Sequence, residues 1–449
     1  MDVKQDKQLI TESCNAITSQ SKLCNNAGNG SDVDCGAVVE LRRQAISDGF
    51  KLLKEIDGAT LDQIIMVASG MTQSQFKAAM VEKGQQRYFM PTQNFDRCSQ
   101  QCSHCFMTEW DCLDKGLPIS DSELRDLTQK FVARGYKSNF YYQDPIMRSD
   151  YFDGVSKFPQ TTSEINPAFF VLDKGLVERA RRVGITTIRH SVHGDQEAHC
   201  SLTKASPKFY KQILDGIDVL KSHGFRVDID TTFYQDNRHC VDYLYSLLEK
   251  LGVDGWFVGM AVPVGAAKSW PASKFLRGKD ARQVVSDVAK SAIAHKNLRV
   301  RFSDNFGPNF FSFRHYKYLL GTIPDEPLIS MYWCDAINTC VLYPSVETGR
   351  VYPCFYHISL EDEAIGNFDR RSGDIQFYDD KIRKWTPSYL SENLRGVCSR
   401  DMCMFHELCL GGCRGTALAF ARLDGDSDPF TAGADFCLTH ELKELDATN

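Results

Sequence analysis

The stretch Arg97-Cys98-Ser99-Gln100-Gln101-Cys102-Ser103-His104-Cys105 places three cysteines within eight residues, in the spacing CxxxCxxC. The residues around it are typical of a loop between a strand and a helix. Three thiolates at this spacing can hold three irons of a 4Fe–4S cluster and leave the fourth iron without a protein ligand. An open iron, like the open position of a catalytic zinc, can take a substrate or a cofactor. A structural zinc loop is the alternative, with His104 or Cys112 as the fourth ligand.

At 449 residues, the chain is long enough for two or three domains, each with its own core. Hydrophobic residues make up 43% and charged residues 24%, as in ordinary soluble globular proteins. A net charge of -6 without a long basic run argues against nucleic acid as a partner. The first residues lack an apolar core of signal-peptide length, and no stretch approaches the ~18 continuous apolar residues of a membrane span. We therefore expect a cytoplasmic protein with no membrane partner.

The seventeen cysteines indicate metal ligation. A secreted disulfide scaffold would be short and would carry an export signal, and this chain shows neither feature. In a reducing compartment, so many cysteines favour metal or iron–sulfur sites.

Two segments are predicted ahead of the first cysteine motif. Residues 1–35 are polar and read as a flexible arm. Three thiols in the arm have wide, irregular spacing and no expected catalytic role: Cys14, Cys24 and Cys35. Residues 36–86 follow a broken helical pattern, which predicts a small helical region.

Strand and helix patterns alternate from Arg87 to about Phe302. Ser120-Asp121-Ser122-Glu123 is a capping box that opens a helix ending at Gly135. Later strands are predicted at 185–191, 227–233, 256–260 and 298–302, with helices between them. Repeated βα units imply a parallel sheet, and right-handed crossovers let it curl into a full or partial barrel. Sites in such barrels lie at the C-terminal ends of the strands, where the cysteine loop also falls.

After Pro308 the alternation stops, and we predict a second unit with little regular pattern. Cysteines return there at Cys334, Cys340, Cys354, Cys398, Cys403, Cys409, Cys413 and Cys437. Eight thiolates can complete two 4Fe–4S clusters with no open iron. Two zinc sites of four cysteines each would use the same ligands, and spacing does not exclude them.

Both cysteine fields resemble known iron–sulfur motifs. The first is similar to the motif of the radical S-adenosylmethionine superfamily, in which the open iron binds the amino and carboxylate groups of the methionine moiety. His104 stands where that family has an aromatic residue before its third cysteine. From Trp333 onward, the cysteine order resembles the SPASM domain, which carries two auxiliary 4Fe–4S clusters. The resemblance implies an α/β fold, with a partial (β/α)6 TIM-like barrel over 87–308 and a cysteine-rich iron–sulfur domain over 309–449.

The SPASM resemblance implies two interleaved sets of auxiliary ligands. One would be Cys334, Cys340, Cys354 and Cys413, and the other Cys398, Cys403, Cys409 and Cys437. The sequence departs from the family in two places. Four residues separate Cys398 from Cys403 where two are usual, which makes Cys398 the weakest match. Phe355 stands where sulfatase-maturing members carry an Asp base, so sulfatase maturation is not expected.

The barrel motifs imply a pocket for S-adenosylmethionine. Tyr142-Gln143-Asp144-Pro145 matches the family's Gly-Gly-Glu-Pro, and Asp144 keeps an acid for the methionine amino group. Ser191-Val192-His193-Gly194 resembles the Ser-x-x-Gly of a strand end beside the cofactor, so Ser191 is a further contact. Thr231 and Thr232 could reach the ribose. An ordinary turn and hydroxyls that only satisfy strand-end backbone groups are the alternatives.

The remaining candidates are assigned with less support from motifs. Gly259 to Gly265 weakly resembles the strand end that approaches the adenine. Tyr356 and His357 would lie between barrel and clusters and are the candidates for substrate contact. Four histidines could serve as acid–base groups by their chemistry, and none is assigned a role: His190, His193, His199 and His239. Three further thiols are expected to be buried: Cys112, Cys200 and Cys240.

The resemblance implies S-adenosylmethionine and three 4Fe–4S clusters as cofactors, one catalytic and two auxiliary. The cluster on Cys98, Cys102 and Cys105 would donate one electron to S-adenosylmethionine, and the resulting 5′-deoxyadenosyl radical would take a hydrogen atom from a substrate C–H bond. The auxiliary clusters could accept or supply electrons. An electron donor such as flavodoxin or ferredoxin is an implied partner.

For the substrate we favour a peptide or protein, as in natural-product peptide maturases. A small-molecule oxidoreductase or dehydratase acting on sugars or aminocyclitols is the alternative. The alternative is supported by the absence of strands for a leader-binding module, the altered Gly-Gly-Glu-Pro motif and the missing Asp at position 355. A third hypothesis is a non-catalytic electron carrier or cluster scaffold, which predicts no cleavage of S-adenosylmethionine.

Overall fold

The computed structural model describes residues 88–89, 100–106, 121–138, 164–165, 174–294, 298–302, 334, 336–337, 341–345, 348–358, 361–402 and 406–433. The chain divides into two compact units, and all of these residues belong to the second, which spans 84–308 and 333–441. The predicted arm (1–35) and helical region (36–86) lie outside the described residues, so both stay predictions.

Strands and helices alternate through the first part of this unit, as predicted. In chain order they are β1 (Tyr88–Phe89), α1 (Asp121–Ala133), β2 (Lys137–Ser138), β3 (Glu164–Ile165), α2 (Lys174–Arg182), β4 (Thr187–Ser191), α3 (Gln196–Thr203), α4 (Pro207–Ser222), β5 (Arg226–Phe233), α5 (Val241–Lys250), β6 (Gly255–Met260), α6 (Gly278–Ala294) and β7 (Arg299–Phe302). Strands β3 to β7 form a sheet in chain order, and each neighbouring pair is parallel. This arrangement confirms the α/β fold. Closure of the barrel stays a prediction.

Local sequence signals set the ends of these helices. The Asp195 carboxylate accepts a hydrogen bond from the Ala198 N–H at 2.9 Å where α3 begins. The Ser206 hydroxyl does the same for the Phe209 N–H at 3.2 Å where α4 begins. Both side chains satisfy backbone donors that a helix start leaves open. Gly184 follows α2 with φ of +85°, a left-handed conformation that favours glycine after a helix.

The five-stranded sheet has one apolar face and one polar face. The apolar row, paired in register and buried, consists of Ile229, Trp256 and Val300. Helices cover this face, and the Tyr245 ring of α5 lies 5.9 Å from the Trp256 ring. The neighbouring row, which alternates with it and faces the opposite way, consists of Asp230, Phe257 and Arg301. The face away from these helices therefore presents polar and aromatic groups.

The C-terminal region is more regular than predicted. It contains β8 (Val341–Pro344), β9 (Arg350–Tyr352), β10 (Gly366–Phe368), β11 (Ile375–Phe377), α7 (Asp379–Lys384), α8 (Pro387–Asn393), α9 (His406–Cys409) and α10 (Arg414–Leu423). The prediction of little regular pattern is therefore wrong. Strands of three or four residues are too short to show a hydrophobic period in the sequence.

A second sheet joins the barrel region to the C-terminal region. Its order is β11-β10-β9-β8-β1-β2, and β8 pairs in parallel with β1 through Tyr88 and Val341. One hydrophobic core likewise combines Phe131 of α1 with Trp385 and Leu418 of the C-terminal region. The described parts of the two predicted domains thus share a sheet and a core.

No helix within the described ranges is long and apolar enough to cross a membrane.

Candidate active site

The first cysteine loop is described from Gln100 to Phe106, and Cys98 lies outside the described residues. Cys102 is half-buried, Cys105 is buried, and the two side chains pack together. The Cys102 thiol also donates to the Gln100 side-chain carbonyl at 3.3 Å. Two of the three predicted ligands of the open cluster are therefore adjacent, as the motif requires.

Two later segments of the barrel region hold this loop in place. The Leu202 carbonyl at the end of α3 accepts hydrogen bonds from the Ser103 N–H at 2.8 Å and the Ser103 hydroxyl at 3.0 Å. After β6, the Ala266 N–H donates to the Cys105 carbonyl at 2.9 Å. These bonds satisfy backbone groups of a loop that has no ladder of its own.

Gly265 allows the closest of these approaches. It has φ of +56°, and an added Cβ would overlap the Cys105 carbonyl oxygen and lie 2.7 Å from the Phe106 carbonyl carbon. Only a residue without Cβ fits both the conformation and the space. In the sequence analysis, the stretch from Gly259 to Gly265 resembled a strand end that approaches the adenine. In the structure, Gly265 lies against the cysteine loop, and the adenine contact stays a prediction.

Three imidazoles form a row beside the loop. The His104 ring lies 4.7 Å from the His193 ring, which stacks at 5.6 Å on the His199 ring. The His193 Nδ1 accepts from the Thr232 N–H, and the His199 Nδ1 accepts from the His193 N–H. The other nitrogen of His199 and the Nδ1 of His104 are enclosed and have no hydrogen-bond partner among the described residues.

These histidines are neutral at physiological pH. Burial lowers the pKa of His104 to about 4, and the nearby His199 adds to the shift. Burial alone lowers the pKa of His199 to about 4. The pKa of His193 also lies well below its usual value, because of burial and then its two neighbours. The described imidazoles around the first cysteine loop therefore contribute no charge.

The predicted hydroxyl contacts for S-adenosylmethionine differ in their surroundings. The Thr231 hydroxyl is buried, donates to the Val192 carbonyl at 2.5 Å and accepts from the Trp256 indole N–H at 2.9 Å. Its bonds favour the alternative in which it satisfies strand-end groups. Ser191 and Thr232 are half-buried, and their hydroxyls make no hydrogen bond to another described residue. Asp144 lies outside the described residues.

The second cysteine field is described at five of its eight predicted ligands. Cys354 and Cys413 belong to one buried cluster, and Cys334 packs against it. The described residues do not include Cys340, Cys403 and Cys437. The first predicted set therefore has three of its four members together.

Hydrogen-bond donors reach the sulfurs of this field. The Gly412 N–H lies 3.1 Å from the Cys409 Sγ, and the Thr416 hydroxyl lies 3.2 Å from the Cys413 Sγ. Such bonds favour sulfur that carries negative charge, as a metal-bound thiolate does. The donor set thus fits the predicted iron–sulfur ligation, and a cysteine-bound zinc would use the same donors.

Tyr356 lies close to both cysteine loops. It follows Cys354 on the short helical turn Phe355–His357 and is 8% exposed. Its ring lies 5.6 Å from the ring of Phe106, the residue after Cys105. The Phe355 ring lies 4.9 Å from Phe106. An aromatic surface therefore fills the space where the sulfatase-maturing pattern would have a carboxylate.

His357 is placed differently from its neighbour. It is fully buried, and its ring lies 5.1 Å from the Trp385 ring. Burial lowers its pKa to about 3, and the charges of Arg422 and Arg414 contribute. Neither ring nitrogen has a hydrogen-bond partner among the described residues. The buried ring is enclosed by protein, and its predicted contact with substrate stays a prediction.

Arg414 is a further site residue that the sequence reading missed. Its guanidinium is buried next to Cys413, and three more cysteines lie close enough to act on it electrostatically: Cys334, Cys398 and Cys409. Burial lowers its pKa, and the cysteines act in the opposite direction. The signal available in the sequence was a charged residue directly after the Gly-Gly-Cys run of a predicted metal site.

The polar face of the five-stranded sheet was also not predicted as a site. The Arg189 guanidinium lies 3.9 Å from the centre of the Phe257 ring and 3.8 Å from the Asp230 carboxylate. Arg301 stacks on the same ring at 5.4 Å. These groups share a face with Ser191 and offer charged and aromatic contacts to a substrate.

Asp195, His239 and Cys240 form a group whose ligand atoms lie within 4.8 Å of one another. The Asp195 carboxylate already caps α3, and its backbone N–H bonds to the Cys240 sulfur. The proximity is thus explained by helix capping, and Cys240 is buried as predicted.

In sequence, the chain is similar to proteins named AdoMet-dependent heme synthases. No family model matches the chain. The AdoMet-dependent heme synthase of Nitratidesulfovibrio vulgaris is 22% identical over 332 residues, which cover 71% of this chain and 85% of that protein. A protein of the same name from Methanosarcina barkeri is 22% identical over 340 residues, covering 72% and 89%.

Solved structures share the fold. SuiB from Streptococcus suis, bound to the precursor peptide SuiA, aligns with a TM-score of 0.53 and 13% identity, over 85% of this chain and 82% of that one. Native anSMEcpe with bound AdoMet aligns with a TM-score of 0.55 and 15% identity, over 80% and 97%. At this level of identity the likeness shows the fold.

Proposed function

We propose that this chain, which is a radical S-adenosylmethionine enzyme, abstracts a hydrogen atom from a C–H bond of a peptide substrate. The observation that carries the proposal is the meeting of the two cysteine fields. Ile358 packs against Cys105, and Phe106 packs on Phe355 and Tyr356. A substrate bound at this aromatic surface would lie beside the first cysteine loop.

The residues of the chain would divide the work as follows. Cys98, Cys102 and Cys105 would hold the first cluster, which with S-adenosylmethionine supplies a 5′-deoxyadenosyl radical when bound. Asp144 would bind the methionine amino group, and the hydroxyls of the half-buried Ser191 and Thr232 would bind the cofactor.

Two auxiliary clusters would occupy the second field, on the two interleaved sets of cysteines given above. Three ligands of the first set are near one another, and sulfur-directed donors surround Cys409 and Cys413. Tyr356 would contact substrate, because its ring lies 5.6 Å from the ring of Phe106, the residue after Cys105. Its apolar surroundings suit an aromatic or aliphatic side chain.

A peptide substrate is supported by the ligands of solved structures that share this fold. Both SuiB and anSMEcpe have been seen with peptides bound, the precursor SuiA and a Cp18Cys peptide respectively. Arg189 and Arg301 on the polar face would pair with carboxylates or carbonyls of such a substrate.

A second candidate substrate is a tetrapyrrole, since the relatives of this chain found by sequence are named heme synthases. It is a small molecule, but not the sugar or aminocyclitol that the sequence analysis gave as the alternative. The same two arginines would suit its carboxylates, and Phe257 and Phe355 would suit its rings.

The test of the radical chemistry is anaerobic reconstitution followed by iron and sulfide counting. Dithionite and S-adenosylmethionine are then added, and 5′-deoxyadenosine is measured. We expect about twelve irons for three clusters. Deoxyadenosine should form in the parent and in a Cys200→Ala control, and be lost in the Cys98/Cys102/Cys105 triple alanine variant. Formation by the triple variant would contradict the placement of the chemistry, and none from fully loaded parent would support the electron-carrier hypothesis.

The substrate class needs a separate measurement. Perdeuterated peptides encoded beside the gene and a deuterated porphyrin would be offered in parallel, and deuterium in the deoxyadenosine would be read by mass spectrometry. Transfer from a peptide alone supports the proposal. Transfer from the porphyrin alone would replace it with the second candidate.

A further inference from the structure

Arg414 is a buried cation without an acidic partner in the part of the chain that the structure describes. It is 1% exposed, and its guanidinium donates to the carbonyls of Gly411 at 3.2 Å, Ala432 at 2.8 Å and Phe430. Its Nε is enclosed and makes no hydrogen bond to a described residue. Removing such a charge from water is unfavourable unless a counter-charge is near.

Among the described residues, the groups that can supply this counter-charge are the cysteines around it. Arg414 follows Cys413, and a Cβ on the next residue, Gly415, would lie 3.1 Å from the Cys354 sulfur. The Ala432 carbonyl that Arg414 binds precedes Gly433, where a Cβ would lie 2.6 Å from the Cys398 sulfur. Cys354 and Cys413 belong to one proposed ligand set and Cys398 to the other. The guanidinium thus lies between the two sets.

We propose that Arg414 is the shared counter-charge of the two auxiliary sites and raises their reduction potentials. This inference rests on the proposed function, which places iron–sulfur clusters there. Reduction adds one negative charge to a cluster, so a fixed positive charge stabilises the reduced form more than the oxidised form. An arginine keeps its proton under all working conditions, so the effect does not depend on pH.

Arg422 provides a matched control on the same helix. It lies eight residues after Arg414 and pairs with the carboxylates of Asp362 and Glu363. Its charge is therefore balanced locally and is partly exposed to water. Removing it changes the net charge by the same amount as removing Arg414 does.

The experiment is an anaerobic redox titration of reconstituted full-length protein, followed by electron paramagnetic resonance. The Cys98/Cys102/Cys105 triple alanine background removes the signal of the first cluster. At a fixed potential, we expect Arg414→Gln to lower the ratio of reduced to oxidised auxiliary cluster at least tenfold. Tenfold corresponds to about 59 mV for a one-electron couple. Arg414→Lys, which keeps the charge, and Arg422→Gln should stay within about threefold of the parent.

Several outcomes would overturn the inference. A full iron count in Arg414→Gln with an unchanged ratio would show that the charge does not set the potential. If that variant fails to fold, Arg414→Lys decides, because a tenfold loss with the charge retained would contradict the proposal. A parent protein with zinc or no metal in the second field would instead remove the auxiliary clusters from the proposed function, before any Arg414 variant is compared.

Discussion

The two cysteine fields differ in the charge of the groups around them. Beside the first, the described titratable neighbours are His104, His193 and His199, all held neutral by burial. Within the second, the described buried neighbours include the permanent cation Arg414. A cation favours the reduced form of an iron–sulfur cluster, and a neutral, apolar setting favours the oxidised form. If both fields hold clusters as proposed, the cluster of the first field would be the stronger reductant.

The fields differ also in how they are built. The first is a loop held by backbone contacts to α3 and to the segment after β6. The second surrounds a shared core of C-terminal helices and α1. Perturbing the anchors of the loop should affect the first site only, while perturbing the core contacts should affect the second.

The largest effect is expected from Gly265→Ala. The new methyl group would overlap the Cys105 carbonyl, so the loop must move, and we expect a loss of more than about 4 kcal/mol in stability or a displaced loop. Deoxyadenosine formation should fall at least as far as in a first-cluster variant. Iron counting on the purified variant would show about four irons fewer, with the auxiliary irons kept.

Gly252→Ala is the control variant, because it introduces backbone strain without the steric overlap expected in Gly265→Ala. Gly252 has φ of +61° but nothing within 4 Å of an added Cβ. The Gly252→Ala substitution should lower the free energy of unfolding by about 1–2 kcal/mol, the cost of a non-glycine residue in the left-handed conformation. The iron content and the activity should stay those of the parent. Equal losses in the two variants would mean that the close approach to the cysteine loop is unimportant.

An effect of medium size on stability is expected when the pH is lowered. In the unfolded chain His199 takes up a proton near pH 6.5, whereas in the folded chain it stays neutral down to about pH 4. The unfolded state then binds more protons in this window, so stability falls as pH falls, by about 1.4 kcal/mol per pH unit for one such group. His199→Asn, which keeps an acceptor for the His193 N–H, should remove that part of the slope in urea unfolding.

The exposed His239 supplies the control for the acid measurement. His239→Gln removes an imidazole from the same barrel region without touching the row beside the loop. Its slope should match that of the parent. A slope that is unchanged in His199→Asn as well would indicate that the row is not the source of acid sensitivity.

The smallest effect is expected from Arg134→Ala. This residue of α1 donates to the Gly373 carbonyl at 2.8 Å and pairs with Asp374 at 2.7 Å, in the turn before β11. Both partners of the ion pair are exposed, so about 1 kcal/mol or less should be lost in chemical unfolding. Added salt should shrink the difference. A loss of auxiliary iron in this variant would show that the surface contact, and not the shared core, supports the second field.

The regular elements were largely readable from the sequence. The strands β4 to β7 begin and end within two residues of their predicted positions, and helices lie between them as predicted. Each has a run long enough to show its period, and glycine or a capping side chain ends it. The strands β8 to β11 were missed, because three or four residues carry too little periodicity and their pairing partners are distant in sequence.

The sequence predicted site residues only where the spacing of residues along the chain is typical of a particular chemistry. The cysteine motifs and the strand-end residues Ser191 and Thr232 could be named in advance. The difference between Thr231 and Thr232 could not be predicted. It arises because the Thr231 hydroxyl, and not that of Thr232, makes hydrogen bonds to Val192 and Trp256.

By itself, the sequence predicted the kind of chemistry, because the expected ligands, their number and the open position are read from cysteine identity and spacing, which are local properties. Only the tertiary structure decided what surrounds each field. Gly265 meets Cys105 across 160 residues, and Arg414 lies between sulfurs from separate segments. Electrostatic environment is a sum over neighbours in space, and such neighbours are set by packing rather than by spacing along the chain.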